Sequence, residues 1–346
     1  MQKMKKSIFR HIFLCLLVCI SVDIWAQAGN SAFAFLSMPM SARINMLGGS
    51  NVSLKEGTLS LALQNPALLD SLTDKTLELD YAYLMQGINL AAATYSHNYK
   101  LNHFAAAIHY LDYGNMQYAD LYGQRSGRTF SAKDIVLNLI YARQLGEMFS
   151  VGVNIKPIYS VYEHYFAFSL GADVGAHFQT KDHTLQIGIA LRNIGWQLKG
   201  FHSDENGERK SKLPLNLEIG LNYRLKHAPL RFGITIHDMQ TWNLQYQSQL
   251  TNNDNLNIKW YDMMFRHTIF FLDIVPKSNR FYLTLSYNHQ IRQEMHLQDQ
   301  RSFAGFAVGA GVRIKQFHLN FAFTQYMKGQ FVYQVGLSTD IKQFIK

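Results

Sequence analysis

The feature that most constrains this chain is an alternation of apolar and polar residues at period two, held over segments of about 10 to 16 residues. In one segment Phe166, Phe168, Leu170, Ala172, Val174, Ala176 and Phe178 alternate with Ala167, Ser169, Gly171, Asp173, Gly175 and His177. In another Leu215, Leu217, Ile219, Leu221, Tyr223 and Leu225 alternate with Asn216, Glu218, Gly220, Asn222 and Arg224. A third runs Leu230, Phe232, Ile234 and Ile236 against Arg231, Gly233, Thr235 and His237. Successive strand residues point to opposite faces, so each segment has one apolar face and one polar or small face. Strands of globular proteins are mostly ~5–6 residues, whereas crossing a bilayer at a tilt takes ~9–11.

Fourteen such segments follow from residue 75: 75–86, 88–99, 103–112, 131–144, 149–161, 164–179, 183–194, 214–225, 229–240, 264–275, 280–290, 303–315, 317–326 and 331–344. Every even connection is short. The odd ones include all the long ones, 113–130, 195–213, 241–263 and 291–302. In an up-and-down sheet, odd and even connections lie at opposite ends. Long loops at one end and tight turns at the other are the pattern of outer-membrane barrels. Closure removes sheet edges and pairs every backbone polar group, as hydrocarbon requires. No repeat of propeller length recurs. The expected fold is all-β: a 14-stranded antiparallel transmembrane β-barrel over 75–346, with an N-terminal plug or hatch segment over 27–74.

The start of the chain fits export. Lys3, Lys5, Lys6 and Arg10 precede an apolar run from Ile12 to Ile20, and Ile24-Trp25-Ala26 offers a small residue for cleavage. This is the layout of a signal peptide over 1–26. A lipoprotein signal fits less well, because Val18 before Cys19 is a poor lipobox residue. Cys15 and Cys19 both fall in that segment, so the mature chain would have no thiol. Removing four cations and Asp23 takes the net charge from +9 to about +6. That charge is diffuse and does not form the concentrated patch of a nucleic-acid binder. Beyond the signal no apolar run reaches eighteen residues, which excludes a helical membrane protein.

Several polar-side positions are glycine: Gly152, Gly171, Gly175, Gly188, Gly220, Gly233, Gly309 and Gly311. They are either small residues of a filled or curved wall or places where a plug approaches it. Within the plug segment, Gly48-Gly49 permits unusual backbone angles, and Asn65-Pro66 interrupts regular structure. Structural turns are the expectation for all four residues. No metal-ligand spacing occurs among the 14 histidines, and there is no nucleophile elbow or phosphate loop. Neither a cofactor nor an enzymatic activity is expected, and Glu163 and Glu218 stand isolated in the sequence. The loop 241–263 carries Trp242, Trp260 and Tyr261, which are candidate anchors for a partner or girdle residues at the lipid headgroups.

Ser41-Ala42-Arg43, Leu47-Gly48-Gly49-Ser50-Asn51-Val52 and Gln64-Asn65-Pro66-Ala67 precede the fourteen segments. This arrangement resembles the long-chain fatty-acid transporter superfamily of outer-membrane barrels. More narrowly, it resembles the PorQ-like components of the type IX secretion system of Bacteroidota. Tyr141-Ala142-Arg143, Arg192-Asn193-Ile194-Gly195 and Tyr287-Asn288-His289-Gln290 are similar as well. The Asn-Pro-Ala element is shared across the whole superfamily, and the sister PorV-like proteins tend to be longer. The resemblance implies a non-enzymatic anchor in the outer membrane that holds a PorZ-like surface protein. With PorU and PorV it would form the attachment complex that links secreted cargo to anionic lipopolysaccharide, the chemistry belonging to PorU. Analogy of fold implies the alternative, a transporter of hydrophobic small molecules.

Overall fold

The computed structural model describes residues 33–84, 87–119, 122, 124–201, 203–204, 207–208, 211–242, 244, 259–276, 278, 280–295, 302–327 and 329–344. The signal segment 1–26 and most of the loop 241–263 lie outside the described residues.

The barrel strands are β1 (Thr76–Tyr83), β2 (Asn89–Tyr99), β3 (Asn102–Ala119), β4 (Arg125–Gln144), β5 (Phe149–Tyr162), β6 (Tyr165–Gln179) and β7 (Leu185–Lys199). After a two-residue ladder, β8 (Ser203–Asp204) with β9 (Gly207–Glu208), come β10 (Asn216–Arg224), β11 (Leu230–Ile236), β12 (Thr268–Ile274) and β13 (Phe281–Asn288). The last three are β14 (Phe306–Ile314), β15 (Phe317–Met327) and β16 (Gln330–Asp340). Each pairs antiparallel with its barrel neighbours, and β1 pairs with β16, so fourteen strands close into a barrel. All fourteen alternating segments are strands of this wall.

The alternation faces opposite to that of a soluble protein. Along β5, Val151, Val153, Ile155 and Tyr159 are exposed, while Asn154, Lys156 and Ser160 are buried. Along β6, Phe166, Phe168, Leu170 and Val174 are exposed, while Ser169, Asp173 and His177 are buried. The wall thus shows an apolar exterior and a polar interior, as a barrel in hydrocarbon must.

Two expectations need correction. Residues 113–130 are not a long loop: β3 and β4 extend through them and leave a short connection, with shifts of register after Asp112 and Gln117. The rings of Tyr118 and Phe130 lie 5.0 Å apart across this extension. Beyond the membrane both faces of a hairpin meet water, so the alternation that marked the other strands is lost there. Secondly, the segments 264–275 and 280–290 run into helices. A helix Trp260–Arg266 precedes β12, and a helix His289–Glu294 follows β13, capped by Asn288. The long connections still gather at one end: those after β7, β11 and β13 contrast with tight turns such as the one between Ile314 and Phe317.

Residues 33–74 fill the barrel. They form one α-helix, Ala42–Met46, and four short 3-10 turns, and nearly all of residues 40–54 and 58–70 are buried. The helix packs on β14, β15 and β16, while the turn Pro66–Leu68 packs on β4, β5 and β6. The segment therefore spans the lumen from wall to wall.

Candidate functional site

The lumen is the place where this chain concentrates chemistry. Ser41 caps the plug helix by accepting from the Ile44 amide at 3.2 Å. That helix presents Arg43, which is fully buried. Arg43 donates from Nε to Glu56 at 2.5 Å and from Nη2 to Asp273 of β12 at 2.9 Å. It also donates from Nη1 to Thr284 of β13 at 2.8 Å, and its guanidinium lies 4.3 Å from the centre of the Tyr282 ring. Arg231 of β11 completes the set, donating from Nη2 to Glu56 at 2.6 Å and from Nε to Asp273 at 3.0 Å. Two cations and two anions thus form a neutral, hydrogen-bonded clamp between plug and wall. The planar guanidinium fork suits such multidentate pairing.

Further ties surround it. Glu218 of β10 accepts from Arg192 of β7 at 2.9 Å and also from Ser50 of the plug. Arg192 in turn donates to Gln64 of the plug at 2.7 Å. Glu218, isolated in the sequence, is therefore at the centre of a network. On β1, Glu78 accepts from the Leu59 and Ser60 amides at 2.9 and 3.1 Å, and Asp80 accepts from the Ala42 amide at 3.0 Å. These acceptors satisfy amides at the starts of two plug turns, which have no partner within their own turn.

The sequence-marked plug residues fall at two places in the lumen. Gly48 and Gly49 follow the plug helix with φ of 92° and 100°, angles that side chains with a Cβ resist. The Gly48 carbonyl accepts from Asn288 at 3.1 Å. Asn65 does more than interrupt structure. Its Oδ1 accepts from the Ala67 amide at 3.0 Å and opens the 3-10 turn at Pro66. Its Nδ2 donates to Val52 at 2.7 Å and to the wall carbonyl of Ala176 at 3.2 Å.

The polar-side glycines divide into two groups. A Cβ at Gly152, Gly175, Gly188, Gly220 or Gly309 would overlap the plug at Pro66, Asn65, Val52, Ser53 or Met46 respectively. At Gly171, Gly233 and Gly311 it would instead meet side chains of the wall and loops. His177 also faces the plug, its Nε2 lying 2.9 Å from the Ser53 carbonyl.

At the loop end the lumen changes character. Phe33, Phe35, Leu36 and Met40 pack against Leu84, Leu90, Leu111, Val136, Ile158, Leu213 and Val332. This is an apolar chamber filled by the start of the described chain.

Trp242, Trp260 and Tyr261 lie on the loop face, apart from the plug residues, and all three are exposed. Trp242 stacks on His267, with ring centres 5.5 Å apart. His267 in turn has its ring nitrogens 2.8 and 3.1 Å from the carbonyls of His237 and Trp242. Trp260 and Tyr261 belong to the helix Trp260–Arg266. Asp262 of that helix accepts from Arg266 and meets His289 Nε2, both at 3.0 Å. Burial pushes the Asp262 carboxyl up, but His289 and Arg266 outweigh it and hold it below the usual carboxylate range. At the turn end, Asp74 behaves alike. Burial opposes its charge, while Lys342 at 2.6 Å and the Asn98 amide at 2.7 Å hold it low. Among the described residues, no three His, Cys, Asp or Glu side chains gather as a metal site.

Sequence reasoning missed the clamp. Arg231 and Asp273 lie on polar strand faces, which was the available signal, but their partners are far away in the chain.

No family model matches the chain, and no curated protein does. Solved structures do. The chain is similar to the deltaS2 mutant of the monoaromatic hydrocarbon channel TodX, with 12% identity, 87% of this chain and 97% of that one covered, and a TM-score of 0.55. It is similar to the Pseudomonas putida toluene transporter TodX over the same shares, with 12% identity and a TM-score of 0.52. At this identity the likeness is one of fold: a closed, antiparallel, fourteen-stranded barrel of the outer-membrane type.

Proposed function

We propose that this chain is a non-enzymatic outer-membrane barrel that receives small hydrophobic molecules at its loop face. The observation that carries this reading is the apolar chamber around Leu111, Val136 and Ile158. Other apolar clusters join plug and wall elsewhere in the barrel, but the chamber directly behind the loops is the one that a guest arriving at the loop face meets first. Sites for such guests are concave and mostly apolar. The fold shared with TodX, described as a hydrocarbon channel and toluene transporter, supports the reading. Export through a signal peptide at 1–26 belongs to it. The test is binding of toluene and of a fluorescent fatty acid to the purified barrel in detergent. Saturable binding that Ile158→Asp abolishes in a still-closed barrel is expected. An absence of binding by the unaltered barrel would overturn the reading.

A second reading is favoured by a different observation, the firmness with which buried charges hold the plug. A barrel so closed suits an anchor. The Ser41-Ala42-Arg43, Gly48-Gly49 and Asn65-Pro66 motifs resemble those of the PorQ-like anchors of the type IX attachment complex. In this reading the loop face, with Trp242, Trp260 and Tyr261, holds a PorZ-like surface protein. PorU and PorV then link cargo to anionic lipopolysaccharide. Gentle purification from native membranes separates the two readings. A co-purifying surface protein that is shed into the medium when the barrel is deleted supports the anchor, and slowed uptake of hydrophobic compounds supports the transporter.

A further inference from the structure

The helix Trp260–Arg266 is amphipathic in the reverse sense. A helix on a soluble surface turns its apolar stripe inward and its polar residues to water. Here Asp262 and Arg266 are paired to each other and half-buried, and Asp262 also reaches His289. The outward positions are Trp260, Tyr261, Met264 and Phe265, which are 69%, 45%, 44% and 43% exposed. Positions i, i+1, i+4 and i+5 share one face of a helix. That face carries no charged side chain.

The face does not stop at the helix. The Phe265 ring lies 6.4 Å from that of Phe270, on the exterior of β12. Phe270 pairs across the sheet with Tyr287, whose ring lies 4.8 Å from Phe306 on β14. The apolar face of the helix therefore runs unbroken into the exterior belt of the barrel. At the start of the helix, the Lys259 ammonium sits 5.7 Å from the centre of the Tyr261 ring. An ammonium held beside an aromatic ring at the edge of an apolar face suits the boundary between acyl chains and water.

We propose that this helix is a lipid-contacting element, lying on the outer leaflet of the bilayer that the barrel spans. Trp260, Tyr261, Met264 and Phe265 enter the boundary between headgroups and acyl chains, to a depth of about 5–10 Å. The inference rests on the barrel being in a membrane; it agrees with transport, and it agrees with anchoring only where the partner is held by loop residues other than Trp260 and Tyr261. It assigns Trp260 and Tyr261 to lipid and leaves Trp242, stacked on His267, as the tryptophan of the loop face.

The test uses the full chain with Trp25, Trp196 and Trp242 replaced by Phe, so that Trp260 is the sole indole. The protein is placed in phosphatidylcholine vesicles in which part of the lipid carries bromine near the glycerol end of its acyl chains. Trp260 emission is expected to be blue-shifted and quenched by about half, and iodide in the buffer to have little effect. A second protein carries Trp260→Phe and Phe321→Trp, which moves the indole to the exterior of β15. Quenching at position 321 with a red-shifted, iodide-sensitive Trp260 overturns the proposal. So does a Trp260 that becomes shielded only when a protein partner is added. Quenching at neither position overturns the membrane placement of the barrel itself.

Discussion

The two ends of the plug are held by opposite chemistry. At the clamp, Arg43 and Glu56 meet Arg231 and Asp273 through directional, charged hydrogen bonds. In the chamber, Phe33, Phe35, Leu36 and Met40 pack on apolar wall residues. Directional charged contacts specify one arrangement and penalise every other, because a displaced partner leaves a bare charge in a low dielectric. Apolar contacts are non-directional, so a guest of similar size can replace one side of them. The difference places fixity at the clamp and exchangeability in the chamber.

The largest expected effect breaks the clamp. Asp273→Ala removes the shared acceptor of two buried arginines and should destabilise the barrel by about 3–5 kcal/mol. Urea unfolding in detergent micelles measures this, and stepwise ion conductance in planar bilayers reports whether the plug has loosened. An unchanged conductance with reduced stability would show that other ties hold the plug. Next, Ile158→Ala in the chamber should cost about 2–4 kcal/mol through the cavity it leaves. Here the comparison sharpens: toluene should stabilise Ile158→Ala by more than Asp273→Ala, because it fills the new cavity in the first and occupies only the chamber both proteins share in the second. A third substitution probes the close approach of plug and wall. Gly188→Val would drive a side chain into the Val52 carbonyl. It should cost about 1–3 kcal/mol by overpacking. Gly146→Val in an open turn, where nothing lies within 4 Å, should change thermal stability little.

The wall was legible in the sequence because the bilayer imposes period two on every strand that crosses it. Where β3 and β4 leave the membrane, that constraint ends, and residues 113–130 read as a loop although they pair. The clamp was illegible for a different reason. Arg43 and Asp273 are separated by 230 positions, and nothing local marks them as partners. Glu218 looked isolated because Arg192, its partner, sits on the neighbouring strand β7. Asn65 and Pro66 were visible as a local interruption, but the bond from Asn65 to Ala176 exists only once β6 curls around the plug. The helix at Trp260 was hidden by its length, since seven residues make too few turns for a period to register.

The smallest effect concerns the staples outside the membrane, Asp262 with His289 and Arg266 at the loop end and Asp74 with Lys342 at the turn end. Both carboxyls titrate below their ordinary range. A carboxyl whose folded value lies below its unfolded value, near 3.9 for aspartate, contributes stability that is full above that pH. The contribution then falls as pH drops through the folded value. Neither carboxyl should therefore respond between neutrality and about pH 4, and both staples should loosen only in stronger acid. Partly exposed ion pairs are worth at most about 1 kcal/mol each, so local opening is expected while the barrel stays closed. Trp260 emission reads the loop end, and heat-modified mobility on a gel reads barrel closure. Asp262→Asn should remove the acid-induced step in emission and leave mobility unchanged. A step that survives in Asp262→Asn would assign the acid response to another group at the loop end.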